Sequence, residues 1–355
     1  MMLMTPAASS NPSSTVFSGV PFSSPDPQLN ALLHGAGLAS LDQTGWISVT
    51  GSDRVRWLNG MATNSVQHLT AGDGAYNFFL NAQGRIQADG TIFATLDELF
   101  IETNRRQVET LIPYLDHYII MDDVELADIT DKRHGLTLIG PQAPALLTQL
   151  GLSVDGLGEP ALRKLPWNSS EITLIRAHSP LAPRFELWVT TSEEAQALRQ
   201  SLEAAGATPT DEAALESLRI LEGTPLYSVD IRDRDLPQET NQSRALHFNK
   251  GCYLGQEIVE RIRSRGNVHR TFTAFRLEGT LPASGTALES SGKSAGELTS
   301  IIVVPLESGP VQLALGYARR EALDRHEPLQ YPGGAAHPIA SPFSPTATEP
   351  SPSAS

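Results

Sequence analysis

The residues best suited to chemistry lie between Lys250 and Arg270, in the stretch KGCYLGQEIVERIRSRGNVHR. It holds the sole cysteine of the 355-residue chain, Cys252, set between Gly251 and Tyr253. Five basic residues (Lys250, Arg261, Arg263, Arg265, Arg270) stand there against two acids, Glu257 and Glu260, a local balance of +3 in a chain of net charge −14. A thiol reacts as its thiolate, and neighbouring cations lower its pKa. Lys250 and the arginines therefore favour a functional Cys252. A cationic island in an acidic chain also suits an anionic ligand. Gly251 and Gly255 let the backbone approach a ligand or turn through positive φ. The plainer alternative is a small buried hydrophobe, a common state of a free cysteine, beside a solvated arginine face.

Lys250-Gly251-Cys252-Tyr253-Leu254-Gly255-Gln256-Glu257 resembles the K-G-C-Y-x-G-Q-E signature of the YgfZ family. Its members are tetrahydrofolate-binding proteins that assist iron–sulfur cluster enzymes, and they are related to the glycine-cleavage T-protein, an aminomethyltransferase. Further segments carry the resemblance from about Leu29 to Leu323. Trp57–Val66 is similar to the family's L-x-G-x-x-T-N-D-V element, with Ser65 in place of the acid. Leu80–Ile86 is similar to the L-N-x-x-G-R-I turn shared with T-proteins. Arg219–Ser228 resembles R-x-x-E-G-x-P-x-Y-G, and Leu236–Glu239 resembles L-P-Q-E.

The resemblance implies tetrahydrofolate in a central pocket and a functional thiol at Cys252. In T-proteins a catalytic Asp lies thirteen residues after a folate-contacting Tyr; Tyr76 and Asp89 stand in that relation, while Ala88 replaces a neighbouring acid. Tyr227, Glu239, Lys250, Tyr253, Gln256 and Arg261 are the further expected contacts. A buried carboxylate can accept two parallel hydrogen bonds from the 2-amino-4-oxo edge of a pterin, and Glu239 is the expected one. The basic island suits the glutamate carboxylates of the folate tail.

These residues need a scaffold, and the patterning predicts an α+β one: two sheet-and-helix lobes and a small β-barrel around a central pocket. Tyr76–Leu80 and Gly90–Thr95 flank the Asn81–Gly84 turn as a hairpin. Gln107–Met121 carries Val108, Leu111, Ile112 and Leu115 at helical spacing. A second unit is expected from near Val124. Ser192–Ala205 and Thr210–Glu222 read as helices, the latter with Asp211 and Glu212 in its first turn and Gly223 just past its end. Ser52-Asp53 is placed to cap a helix from Arg54. After a helix over Glu257–Ser264, short strands separated by Gly, Ser and Pro turns predict the barrel. The expected boundaries are a disordered lead over 1–27, the folate-binding lobes over 28–265, the barrel over 266–330 and a disordered tail over 331–355.

Composition excludes several classes. With 40% hydrophobic and 19% charged residues the chain is of ordinary globular type. Net charge −14 argues against direct nucleic-acid binding, and no apolar run approaches the roughly 20 residues of a membrane span. One cysteine excludes internal disulfides and a cluster ligated by several thiolates of this chain. No Lys or Arg precedes Arg54, so neither a basic n-region nor an Arg-rich transit peptide is expected, and a cytoplasmic protein is the expectation. The leading expectation is a tetrahydrofolate-binding accessory protein for iron–sulfur client enzymes or their assembly factors. A folate-dependent aminomethyltransferase is the alternative, and an interaction scaffold without folate a third.

Overall fold

Alternating apolar residues build the first sheet, whose strand order is Gly74–Leu80, Ile86–Ala94, Leu99–Asn104, Thr44–Thr50 and Glu125–Asp128, every pair antiparallel. The computed structural model describes residues 20–266 and 268–344. Thr44–Thr50 is buried on both faces. Ile47 and Val49 pack under the helices Arg54–Met61 and Arg105–Asp116, while Trp46 turns to the second lobe. There its ring meets Trp188 edge-on at 5.2 Å. Arg105–Asp116 is shorter than the expected Gln107–Met121 and leaves Ile120 and Met121 exposed in a loop. Asp53 does not cap the helix it precedes; its carboxylate accepts from the Asp123 N–H at 3.0 Å instead.

The second sheet runs Thr208–Pro209, Gly37–Ser40, His134–Ile139, Arg184–Val189, Ser170–Ala177 and Ala161–Trp167. Its make-up corrects the lobe boundary expected near Val124. Glu125–Asp128 completes the first sheet by pairing with Thr44–Thr50, whereas Gly37–Ser40, far earlier in the chain, is inserted into the second. Ser192–Ala204 covers this sheet and begins with a capping box between Thr191 and Glu194, one residue before Ser192. Glu212–Glu222 begins at Asp211, whose side chain accepts from Ala214 N, and stops at Gly223 at φ 71°.

The barrel closes in the order Arg270–Gly279, Val311–Arg319, Lys293–Val304, Ala287–Ser290, Leu329–Tyr331 and Gly334–Ile339. The last strand falls in the expected disordered tail. Pairing with Arg270–Gly279 overrides its Gly, Ala and Pro composition, because closure leaves no free edge on that side. The expected lead is likewise shorter: Phe22 is buried and packs on Phe343 with ring centroids 5.5 Å apart. Residues 1–19 and 345–355, the remainder of the expected lead and tail, lie outside the described residues. No described helix is long and apolar enough to cross a membrane.

The barrel is fastened to the lobes through Asp230, a fully buried carboxylate. It accepts from Arg219 Nη1 at 2.7 Å, Leu226 N at 2.9 Å and Ser300 Oγ at 2.8 Å, and from the Thr299 hydroxyl. Removing one partner of such a group strands the other charge. Asp230→Ala is expected to cost about 3–5 kcal/mol, read as a shift in the denaturant midpoint; a loss under about 1 kcal/mol would show that the barrel is held elsewhere.

Candidate functional site

The hairpin register explains the thirteen-residue spacing. Tyr76 pairs with Thr91, so Asp89 is its diagonal neighbour across the strands. The Tyr76 hydroxyl donates to Asp89 Oδ2 at 2.6 Å, and Gln107 Nε2 donates to Oδ1 at 2.8 Å. Burial raises the Asp89 pKa, and the two donors oppose the rise. Burial, together with the Asp89 charge, holds the Tyr76 phenol well above its ordinary range. Arg244 lies over the Tyr76 ring at 4.0 Å, its own pKa lowered by burial.

Tyr76 and Asp89 open onto a cavity of about 680 Å³ between the lobes, within the size range of ligand sites. Tyr227 lines it too, anchored by a 2.5 Å hydrogen bond from its hydroxyl to Gln87 O. Burial, followed by the charge of Asp89, pushes its pKa up to about 12.

Glu102 and Glu186, which no sequence motif singles out, also line this cavity. Glu186 is only 4% exposed; it accepts from Arg184 Nη2 at 3.0 Å and Trp188 Nε1 at 3.3 Å. Burial and the adjacent Glu186 carboxylate raise the Glu102 pKa well above the usual range. A signal was available: Glu186 is the one acid in the apolar strand Arg184–Val189, and acids are rarely buried without purpose.

Glu239 does not reach this cavity. It is buried, accepts from Leu236 N at 3.2 Å and pairs with Arg270 at 3.1 Å, beside a separate cleft bordered by His269 and Arg319. The short turn Leu236–Glu239 and the Arg270 partner fix it there.

The signature residues serve mostly to join elements. Lys250 Nζ donates to the carbonyls of Asn59, Ala62 and Asn64 at 2.7, 2.6 and 2.7 Å, tying the signature to the end of helix Arg54–Met61. Burial pushes its pKa down to about 7. The three carbonyls resist deprotonation, because a neutral amine would aim a lone pair at one of them. Tyr253 is buried against Phe78, Leu80 and Ile86. Gln256 Oε1 accepts from Tyr253 N at 3.3 Å, which closes the turn before helix Gln256–Arg265. Gly255 takes φ 81°, and a Cβ there would lie 2.6 Å from Asn81 O, so the signature presses directly on the hairpin turn.

The cationic island is therefore largely consumed. Arg261 pairs with Glu257 at 2.7 Å, Arg263 lies over Phe248 at 4.3 Å, and Arg270 pairs with Asp235 at 2.5 Å. None of Lys250, Cys252, Tyr253, Gln256 and Arg261 lines the Tyr76–Asp89 cavity. Cys252 itself is exposed rather than buried.

Residues 23–250 match the family profile described as the GCVT N-terminal domain. The chain belongs to the GCVT family. Its fold is that of the glycine-cleavage aminomethyltransferase T from Bartonella henselae, with TM-score 0.76 over 89% of this chain and 88% of that one at 20% identity. A putative chloroplastic transferase of Arabidopsis thaliana is 26% identical over 308 residues, 85% of this chain and 69% of its own length. A Yersinia enterocolitica protein named tRNA-modifying protein YgfZ is 29% identical over 257 residues, 71% of this chain and 74% of that protein. Within the GCVT family this chain is a YgfZ-type member.

Lys250→Met removes the donor of all three carbonyls of the GCVT domain's Asn59–Asn64 segment. The variant is expected to lose about 2–5 kcal/mol. Amide hydrogen exchange should speed up locally over Asn59–Asn64 and the signature. Unchanged exchange in both segments would deny Lys250 this role.

Proposed function

We propose that the protein holds tetrahydrofolate in the central cavity and supports the assembly or repair of iron–sulfur cluster enzymes, with Cys252 as its working thiol. The observation that carries the folate reading is the set of acids facing one cavity, Asp89 and Glu102 beside Tyr76 on the first lobe's sheet and the buried Glu186 on the second lobe's. A pterin presents N–H donors along its 2-amino-4-oxo edge, and an ionised carboxylate accepts two of them in parallel. Glu186 takes that part, in place of Glu239. It is the best fitted of the acids, since Arg184 and Trp188 stabilise its charged form. Glu102 Oε1 is buried without a hydrogen-bond partner among the described residues, a fit for a ligand with complementary groups.

When bound, tetrahydrofolate supplies amine nitrogens able to carry a one-carbon unit. Asp89, with Tyr76 and Gln107 fixing its two oxygens, holds a proton or passes one at the opposite wall. Cys252 sits outside the cavity and exposed, so its thiol faces a partner protein rather than the pterin. The iron–sulfur part rests on the resemblance of Lys250–Glu257 to the YgfZ signature.

The Tyr76–Asp89 pair also favours a second reading, a glycine-cleavage type aminomethyltransferase. Against it, the position beside Asp89 is Ala88, 1% exposed inside the first lobe's core, so a neighbouring acid is missing. Turnover with aminomethylated H-protein separates the two readings, and activity there would favour the transferase.

Calorimetric titration with tetrahydrofolate should show binding to the wild type. Glu186→Gln is expected to weaken it by about 1.5–3 kcal/mol, while Glu239→Gln leaves affinity unchanged and lowers stability. No heat from a folded sample would sink the folate reading. Cys252→Ser should keep both fold and folate affinity yet fail to support iron–sulfur enzyme activity in cells lacking the native protein. Full support by that variant would reduce Cys252 to a spectator.

A further inference from the structure

Glu102 occupies a position the proposed pterin contact does not itself require. It lies on the strand Leu99–Asn104, between Trp46 and Thr91 in register, and turns its carboxyl into the cavity beside Glu186. Two buried carboxylates side by side cannot both stay ionised without a large electrostatic cost. The surroundings decide which one keeps a proton. Glu186 has Arg184 and Trp188 as donors at 3.0 and 3.3 Å, and both favour its ionised form. Glu102 has an Oε1 that receives no hydrogen bond among the described residues. The charged groups facing Glu102 are Glu186 and Arg184 on the second lobe's strand and Arg133 ahead of His134–Ile139. Arg133 lies 4.5 Å from the Trp46 ring and 4.3 Å from that of Phe100, which draws it into an aromatic stack. Elsewhere the cavity is lined by Asp42, Asp89, Arg199 and Glu212.

A neutral carboxyl beside an ionised one makes a composite edge: two acceptor oxygens on Glu186 and one O–H donor on Glu102. That edge is complementary to a 2-amino-4-oxo-pyrimidine ring, which offers two N–H donors next to a carbonyl acceptor. Resting on the folate reading above, we infer that Glu102 is the specificity-determining residue whose carboxyl O–H donates a hydrogen bond to the ring's 4-oxo group while Glu186 accepts from its 2-amino and N3 hydrogens. A ring carrying an amino group at position 4 would put a donor against that donor, and Glu102 would have to lose its proton to accept it. Sites built around such paired groups discriminate strongly, because a mismatch leaves buried polar atoms unsatisfied.

The sign of the pH dependence follows. The binding form is the protonated one, present below the raised pKa of Glu102 and lost as pH rises through it. Calorimetric titration of the full-length chain with tetrahydrofolate, run anaerobically from mildly acidic to alkaline pH, tests this. Wild-type affinity should fall about tenfold per pH unit beyond that pKa. Glu102→Gln, whose amide N–H₂ is a permanent donor, should bind within about threefold of the wild type at low pH and show no such fall. Glu102→Ala should weaken binding about tenfold or more at low pH, with its fold checked by circular dichroism. Parallel pH profiles for wild type and Glu102→Gln would overturn the inference while leaving the folate reading intact. So would an alanine variant that binds as tightly as the wild type. A wild type that does not bind tetrahydrofolate at any pH would remove the folate reading itself, and this inference with it.

Discussion

The carbonyls of Asn59, Ala62 and Asn64 all converge on the ammonium of Lys250, which comes from a loop almost two hundred positions away. Taking that charge out of water is costly, and only complete satisfaction of its three N–H bonds makes the burial tolerable. The arrangement leaves little freedom in where the signature loop can sit. Gly255 is thereby pressed against Asn81 O, and Tyr253 against Phe78 and Leu80. The hairpin carrying Tyr76 and Asp89 is thus braced from behind by the same segment that holds Cys252 on the surface. Thr63 and Asn64 add to this bracing, donating to Ala245 O at 2.7 Å and to Arg244 O at 2.8 Å.

Charge in this protein is sorted by depth. The acids at the cavity and at the barrel junction are turned inward, each with a different compensation. Asp89 has two neutral donors, Glu186 has an arginine and an indole, and Asp230 has an arginine with two hydroxyls and an amide. Glu222, buried against the Ser179 hydroxyl and Leu181 N, has its pKa raised by desolvation. The cations that stand out in the sequence are spent on such pairings. Arg219 and Arg270 in particular are structural counter-ions for acids of the Tyr227–Glu239 loop.

Local patterns proved readable where they set local geometry. The hairpin, the helix ending at Gly223 and the adjacency of Tyr76 and Asp89 all follow from turn chemistry and strand register. The two lobes with a barrel were also legible, though their seams were not. Gly37–Ser40 joins a sheet whose other members lie beyond residue 133, and that pairing leaves no mark in nearby sequence. Glu239 was misplaced for a related reason: a short motif gives a residue's type and turn but not which cavity its side chain meets. Gly334–Ile339 read as tail because closure of a barrel, rather than intrinsic propensity, makes it a strand. The basic island misled because arginines close in sequence were assigned a common ligand, whereas their partners are scattered over three elements.

The packing of Phe22 on Phe343 carries a consequence for biosynthesis. Phe22 and Val20 share a core with barrel residues such as Leu313 and Leu315, and Phe343 N donates to Leu221 O at 2.7 Å. On the ribosome the first lobe's sheet, complete by Asp128, can form early. The opening segment that belongs to the same polypeptide end must wait, unsealed, until the final strand leaves the exit tunnel. Stop codons near Tyr331 would therefore harm both ends of the molecule at once, leaving an open barrel edge and an uncovered Phe22.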